Sequence, residues 1–121
     1  RASVQSGQFE SAARQLETVL AADPANAPGW NQLGIAYRRL GQFDSARAAY
    51  EKAIAADPIL PDPQRNLGIL LDLFLGDPVR ALQHYERYEM LAGESAGEMK
   101  SWLAELRRRV DQAPRTAEVQ P

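Results

Sequence analysis

The chain has 121 residues, of which 45% are hydrophobic and 25% are charged, so it can form one domain with a modest core and lacks the composition of a disordered chain. Its 14 lysines and arginines are balanced by 16 aspartates and glutamates, and the net charge of −2 argues against a nucleic-acid-binding surface. Cysteine is absent, which excludes disulfides and thiolate metal sites, and no apolar run approaches the roughly 20 residues of a membrane-spanning helix.

Apolar spacing and helix-ending residues predict a series of helices joined by short turns. Asp62 before Pro63, and Asp77 before Pro78, each indicate an N-cap followed by proline at the first helical position. Gly41 is expected to end a helix by adopting a left-handed conformation. In chain order, the predicted helices cover residues 8–22, 27–40, 42–56, 62–75, 78–91 and 95–111.

Part of the sequence returns after a constant interval. The segment LAADP at residues 20–24 reappears as IAADP at residues 54–58, and LGI at residues 33–35 reappears at residues 67–69, after the same interval. The same shift relates three further pairs: Gly7 and Gly41, Phe9 and Phe43, and Ala12 and Ala46. Matches at one offset indicate an internal repeat, in which each unit needs its neighbours to bury its apolar face.

The central copy of the repeat covers roughly residues 27–60. It carries a set of large, small and turn-forming residues: Trp30, Leu33, Gly34, Tyr37, Gly41, Phe43, Ala46, Tyr50, Ala53 and Pro58. In both residue types and spacing this pattern resembles the tetratricopeptide repeat, whose units are about 34 residues long. The resemblance implies an all-α superhelix of about 2.5–3 repeats with a C-terminal capping helix, in which small residues let paired helices approach and aromatic residues fill the space between them.

The implied organisation is a single domain over residues 1–113, followed by a disordered tail over residues 114–121. Within the domain we expect an incomplete first repeat (1–24), a central repeat (25–58), a divergent third repeat (59–93) and the capping helix (94–113). The capping helix carries an apolar stripe at helical spacing, formed by Met99, Trp102, Leu103, Leu106 and Val110.

The third repeat departs from the pattern in two ways. Gln64 stands where tryptophan is usual. From Gly76 onward, each residue also lies one position farther from its counterpart in the central repeat than the constant interval requires. The extra residue predicts either a helix bulge or a longer turn. The predicted helix over residues 62–75 is apolar on nearly all sides, so it needs a cover. That cover is either the terminal helix, which we favour, or a bound partner or second subunit.

In the tetratricopeptide family the first helix of each pair lines a concave groove, at positions left over after the packing residues are assigned. The resemblance therefore implies a partner-binding set, named here the groove strip: Asn31, Ile35, Arg38, Arg39, Arg65, Asn66, Ile69, Asp72 and Leu73. Its mixed apolar and basic character suits an extended or helical peptide. The lysines with which some relatives clamp a C-terminal carboxylate are not found, so such a clamp is not predicted.

The sequence predicts no catalytic, cofactor-binding or metal site. His84 is the one histidine, and without a second histidine or any cysteine we expect it to pack or to face solvent. Nucleophile motifs, phosphate-binding loops and dinucleotide fingerprints are missing. The run Arg107–Arg109 can bind an anionic partner, but a polar outer face near a helix C-terminus is the favoured interpretation.

These features predict a non-catalytic protein–protein interaction module that binds a peptide or partner protein, with no cofactor, nucleic acid or small-molecule substrate. The run NLGILLDLFLGDPVRALQHYERYEMLAG, followed by WLAELRRR, resembles the C-terminal repeats of tetratricopeptide proteins of the Gram-negative envelope. This resemblance implies an adaptor in a TonB-type or a pilus- or secretin-associated assembly. Its implied location is the periplasm or an outer-membrane lipoprotein, with the cytoplasm as the alternative.

Two other hypotheses stay open. The first hairpin lacks its first helix, which leaves one side of Phe9, Ala12, Leu16 and Val19 uncovered and favours a self-associating scaffold. The chain also begins in the middle of a repeat, at Arg1, which is compatible with a regulatory domain of a larger protein.

Overall fold

A computed structural model describes the backbone of residues 2–112 and the side chains of residues 6–112. Its regular structure within this range is entirely helical, which confirms the predicted all-α class. The elements are α1 (Ala2–Ala22), α2 (Ala27–Arg39), α3 (Phe43–Ala56), α4 (Pro61–Leu73), α5 (Pro78–Ala92) and, after a 3₁₀ segment (Gly93–Met99), α6 (Lys100–Gln112). The predicted disordered tail, residues 114–121, lies outside the described residues. None of the described helices is long and apolar enough to cross a bilayer.

Two of the helix starts within residues 6–112 have side-chain caps. The carboxylate of Asp77 accepts a hydrogen bond from the backbone N–H of Arg80 at 3.2 Å, and proline follows it in the first turn of α5, as predicted. The side chain of Asn26 caps α2 in the same way, accepting from the N–H of Gly29 at 2.9 Å. These caps satisfy backbone donors that have no partner inside the helix.

The start of α4 differs from the prediction. The helix begins at Pro61, after Leu60, so the assignment of Asp62 as its N-cap was wrong. Either Pro61 or Pro63 can occupy the first helical position, because proline has no N–H to leave unpaired and its φ angle is already helical. The earlier proline starts the helix, and Asp62 lies inside the first turn, where its negative charge is favourable to the helix dipole.

The turn between α2 and α3 is closed by a glycine. Gly41 has a φ of 77°, its N–H donates to the carbonyl of Arg38 at 3.0 Å, and the N–H of Gln42 donates to the carbonyl of Tyr37 at 2.9 Å. This double hydrogen bond is the Schellman arrangement that ends many helices.

The turn between α4 and α5 is one residue longer. Leu71 is the repeat equivalent of Tyr37, but its carbonyl accepts from the N–H of Asp77, six residues on, at 2.8 Å. Gly76 takes the left-handed conformation in this turn, with a φ of 65°. The extra residue of the third repeat therefore lies in a longer turn and not in a helix bulge.

Each helical hairpin is closed by a tyrosine that crosses a glycine. A Cβ atom added at Gly34 of α2 would lie 2.5 Å from the ring of Tyr50 of α3, and one added at Gly68 of α4 would lie 2.8 Å from the ring of Tyr85 of α5. Both tyrosine side chains are fully buried, at 0% exposure. The absence of a side chain on the first helix is what makes room for the ring from the second.

The helices form an inner and an outer row. Helices α2 and α4 contact each other, whereas the backbones of α1 and α3, and of α3 and α5, stay apart. Because the inner helices are closer together than the outer ones, the array curves with α2 and α4 on its concave side. Helix α6 packs on α5 and reaches α4 through its side chains, so it extends the inner row.

The terminal helix covers the end of the repeat array. Leu103 and Leu106 are fully buried and Met99 nearly so, while Val110 is half-buried against the same core. The centres of the Trp102 and Tyr85 rings lie 5.7 Å apart, and Trp102 is 37% exposed to solvent. The predicted capping stripe is confirmed, although its first residue lies in the 3₁₀ segment and not in α6.

We expect Gly34→Ala to lower the free energy of unfolding by about 1–3 kcal/mol, because the added methyl group overlaps the Tyr50 ring, which has no space to move into. Gly7→Ala is the control, since a Cβ there meets nothing within 4 Å on an exposed part of α1. It is expected to raise the free energy of unfolding by about 0.5–1 kcal/mol through helix propensity. Urea denaturation followed by circular dichroism measures both, and equal stabilities would contradict the close crossing.

Candidate functional site

The groove strip lies along α2 and α4, on the inner row, but its side chains are not equally accessible. Arg39 and Leu73 are exposed, and Leu73 is 58% exposed. Four are half-buried: Ile35, Arg38, Arg65 and Ile69. Asn31 and Asn66 are buried, and the side chain of Asp72 is only 2% exposed. The accessible part of the strip is therefore apolar and basic.

The two buried asparagines bind each other. The side-chain amide of Asn66 on α4 donates to the side-chain oxygen of Asn31 on α2 at 2.9 Å. A buried hydrogen bond between two polar side chains fixes the position of one inner helix relative to the next. Asn31 and Asn66 lie buried between α2 and α4, and direct contact with a partner stays a prediction for both.

The centre of the strip is positively charged. Burial raises the pKa of the Tyr50 hydroxyl, and the nearby guanidinium groups of Arg38 and Arg65 oppose that rise. Neither arginine forms an ion pair with any residue between 6 and 112. Ile35 and Ile69 lie at equivalent positions of successive repeats, so the same surface offers apolar side chains at the repeat spacing.

One end of the strip is taken up by the terminal helix. The carboxylate of Asp72 accepts hydrogen bonds from the guanidinium of Arg109 at 3.0 Å and from the indole N–H of Trp102 at 3.4 Å. Asp72 therefore holds α6 against α4. The terminal helix covers this part of α4, in line with the favoured alternative, while Leu73 beside it stays open.

The arginine run on α6 has specific partners that the sequence did not reveal. Arg107 bridges Glu86 and Glu89 of α5, at 3.2 Å to each, and Arg108 pairs with Glu105 on its own helix. These contacts fit the interpretation of a polar outer face. Arg39 of the groove strip also has a local role, since its guanidinium lies 5.6 Å from the centre of the Phe9 ring.

Sequence reasoning missed a cavity on the outer side of the array. An open space of about 430 Å³ lies between α1 and α3, with Trp30 and Tyr37 at its base. Lys52 lies 4.9 Å from the centre of the Trp30 ring, and the hydroxyl of Tyr37 donates to Glu17. Burial, together with Glu17, raises the pKa of Tyr37 to about 12. The available signal was a row of small residues: Ala21, Ala48 and Ala49.

The corresponding space between α3 and α5 is filled. His84 stands where Ala49 stands in the preceding repeat, once the extra residue of the turn is allowed for, and its Nδ1 lies 2.8 Å from the side-chain oxygen of Gln64. Burial lowers the pKa of His84, and the positive charge of Arg87 adds to that effect. The histidine packs, which is one of the two predicted outcomes, and its partner is Gln64, the glutamine that replaces the usual tryptophan.

Comparison with known proteins agrees with this architecture. The family model of the tetratricopeptide repeat matches residues 1–61 and again residues 31–98. The chain therefore belongs to the tetratricopeptide-repeat family. No curated protein matches it.

Several solved structures share the fold at low sequence identity. The type III secretion chaperone SycD of Yersinia enterocolitica, solved with a peptide of the translocator YopD, has a TM-score of 0.76 and 19% identity, over 89% of this chain and 83% of that chain. The first tetratricopeptide domain of Spaghetti (RPAP3), solved with the HSP90 peptide SRMEEVD, has a TM-score of 0.78 and 21% identity, over 90% and 85% of the two chains. An alternative dimer of SycD has a TM-score of 0.74 and 20% identity, over 89% and 83%.

Asn66→Leu is expected to lower the free energy of unfolding by about 1–3 kcal/mol, because it leaves the buried oxygen of Asn31 without a donor. Asn31→Leu is expected to have a similar cost, because it leaves the buried side-chain N–H of Asn66 without an acceptor. The double variant replaces both polar groups with apolar groups of similar shape and should recover much of the loss. A double-mutant cycle in urea measures the coupling, and additive costs would show that the pair is not coupled.

Proposed function

We propose that this protein is a non-catalytic interaction module that holds a peptide segment of a partner protein along the inner surface of α2 and α4. The observation that carries the proposal is the accessible part of the groove strip, where Arg38 and Arg65, which form no ion pair within residues 6–112, lie beside apolar side chains at the repeat spacing. Membership of the tetratricopeptide family supports it. The two peptide complexes among the fold neighbours are consistent with it as well.

The chemistry of the strip fits an extended peptide. Ile35 and Ile69 provide two apolar contacts, one in each repeat, while Arg38 and Arg65 provide hydrogen-bond donors beside them. The planar guanidinium group of arginine carries several N–H donors and can hydrogen-bond to peptide carbonyls as well as to carboxylates. Exposed Leu73 extends the apolar surface towards the turn that follows α4. An extended chain can therefore alternate apolar side chains with hydrogen bonds along this surface.

We infer further that the partner belongs to a bacterial envelope assembly, of the TonB type or associated with a pilus or secretin. The support for this placement is the resemblance of residues 66–93 to the C-terminal repeats of such adaptors. A tagged protein in its native host, fractionated into cytoplasm, periplasm and membranes, tests the location. Recovery of the protein in the cytoplasm alone would exclude an envelope role.

To test the groove, peptides are selected from a displayed dodecapeptide library against the purified chain, and the best binder is measured by isothermal titration. Arg38→Glu combined with Arg65→Glu is expected to weaken that peptide at least about tenfold, since two charge-assisted contacts are reversed in sign. The melting temperature should stay nearly unchanged, because neither arginine has an ion-pair partner within residues 6–112 to lose.

The matched control is Arg87→Glu combined with Lys100→Glu, which makes the same change in net charge at two exposed positions outside the groove strip. Its affinity for the selected peptide should stay within about twofold of the original at physiological salt, where distant charges are screened. Equal loss in both double variants would mean that overall charge, and not the groove, determines binding. If the double variant of Arg38 and Arg65 binds the peptide as tightly as the original chain, these two arginines of the groove strip do not contribute to binding.

A second candidate function is self-association through α1. The face of α3 that packs against α2, its partner in the hairpin, is fully buried: Ala46, Tyr50 and Ala53 are each 0% exposed. The corresponding face of α1 carries Ala12, Leu16 and Val19, and Val19 is 47% exposed. This face has the composition of a helix-packing surface, and a helix from a second copy is one way to cover it.

Sedimentation velocity over a range of protein concentrations tests this second candidate. If copies associate through α1, the sedimentation coefficient rises with concentration, and Val19→Asp should raise the dissociation constant at least about tenfold by placing a charge in the interface. Val79→Asp is the control, because Val79 is similarly exposed, at 51%, but lies on α5. A chain that stays monomeric at every concentration and still binds a selected peptide would eliminate self-association.

A further inference from the structure

The cavity between α1 and α3, named here the outer cavity, has the size of a small-molecule site. Its volume of about 430 Å³ lies within the range of roughly 300–1,000 Å³ that ligand pockets span. Its lining includes three buried apolar side chains and two aromatic rings: Leu20, Leu33, Ala49, Trp30 and Tyr37. Because these residues come from α1, α2 and α3, a molecule bound there would contact three packed helices.

Both aromatic side chains of the outer cavity are held by hydrogen bonds. The indole N–H of Trp30 donates to the backbone carbonyl of Pro24 at 2.8 Å, and the hydroxyl of Tyr37 donates to the carboxylate of Glu17. Each bond ties a ring from α2 to α1 or to the turn that follows it. Side chains that are already fixed lose little conformational freedom when a ligand binds, which favours affinity.

The charges around the outer cavity favour a negatively charged ligand. Among the described residues that line it, Lys52 is the one cation, and this lysine is exposed to solvent. Its ammonium group lies 4.9 Å from the centre of the Trp30 ring and forms no ion pair with any residue between 6 and 112. The carboxylate of Glu17, in contrast, is already bound by Tyr37. A cationic ligand would be repelled by Lys52, whereas a carboxylate can pair with it.

The third repeat shows which shape the equivalent space accepts. Between α3 and α5 that space is filled by the imidazole ring of His84, whose Nδ1 lies 2.8 Å from the side-chain oxygen of Gln64. With the extra residue of the turn allowed for, His84 is the counterpart of Ala49. Where the third repeat has a planar ring of its own, the central repeat has only a methyl group. A planar ring is therefore the shape that we expect of a ligand in the outer cavity.

We propose that the outer cavity binds a small aromatic carboxylate, whose ring packs between α1 and α3 while its carboxylate pairs with the ammonium group of Lys52. The molecule is a ligand and not a substrate, so the interpretation of the protein as non-catalytic is kept. The outer cavity lies on the outer side of the array and the groove strip on its concave side, so this proposal and the proposed function can fail independently.

The probes are three molecules that share an indole ring and differ in charge: indole-3-acetate, indole-3-acetamide and tryptamine. They are titrated into the purified full chain at constant low ionic strength, and the indole N–H signal of Trp30 is followed by NMR, with that of Trp102 as the internal control. Indole-3-acetate should shift the Trp30 signal saturably and bind about 2–5-fold more tightly than the neutral amide, as expected for one exposed ion pair. Tryptamine should bind more weakly than the amide, because its ammonium group approaches that of Lys52.

Lys52→Gln isolates the charge. It should abolish the preference for indole-3-acetate over the amide, and the affinity of the amide should stay within about twofold because the apolar contacts are kept. Lys100→Gln is the matched control, since Lys100 is also exposed but lies on α6, and it should leave the preference unchanged.

Ala48→Leu isolates the cavity. Ala48 lines the outer cavity and is exposed, so a leucine there takes up ligand space with little change in helix propensity. It should weaken indole-3-acetate at least about tenfold, whereas Ala104→Leu, at an exposed position of α6, should leave the affinity unchanged. Melting curves verify that every variant is folded.

The proposal is overturned if indole-3-acetate gives no saturable shift of Trp30, if the three indole probes bind equally, or if Ala48→Leu leaves binding intact. A further arm separates a free acid from the end of a peptide. Acetyl-Ala-Ala-Trp with a free C-terminal carboxylate carries the same two groups, and tighter binding of this peptide than of indole-3-acetate would assign the outer cavity to a peptide end instead. Peptide binding to the groove strip is measured separately, so neither result decides the other.

Discussion

The crossing of a tyrosine ring over a glycine is the contact on which the rest of the structure depends. It brings the two helices of a hairpin close together, and it does so twice, through Tyr50 on Gly34 and through Tyr85 on Gly68. The crossing also carries each tyrosine from the outer row towards the inner one, so its hydroxyl ends near the groove arginines. A packing requirement of the hairpin therefore buries a polar group in the core.

The helices and their pairing could be predicted because they depend on local chemistry and on a repeated period. A regular repeat places Gly, Ala and aromatic residues in the same environment each time, and the capping stripe from Met99 to Val110 follows from helical spacing alone. The start of α4 could not be predicted in the same way. Pro61 and Pro63 are both suitable first residues, and the choice between them depends on how the preceding turn joins α3.

The positions of the groove residues followed from the repeat register, but their accessibility did not. Asn31 and Asn66 meet although they do not occupy equivalent positions of the repeat, because their contact depends on the distance and rotation between α2 and α4. Asp72 is buried by Arg109 and Trp102, which come from a helix outside the repeat pattern. A periodic sequence describes each repeat well and describes contacts between repeats poorly.

The unequal filling of the two outer spaces has a mechanical consequence. Between α3 and α5 the hydrogen-bonded Gln64 and His84 act as a wedge, whereas the space between α1 and α3 is bordered by alanines and remains open. An array whose inner helices are in contact bends about that inner row, and it bends most easily where its outer helices are least braced. The outer side is less filled between α1 and α3 than between α3 and α5.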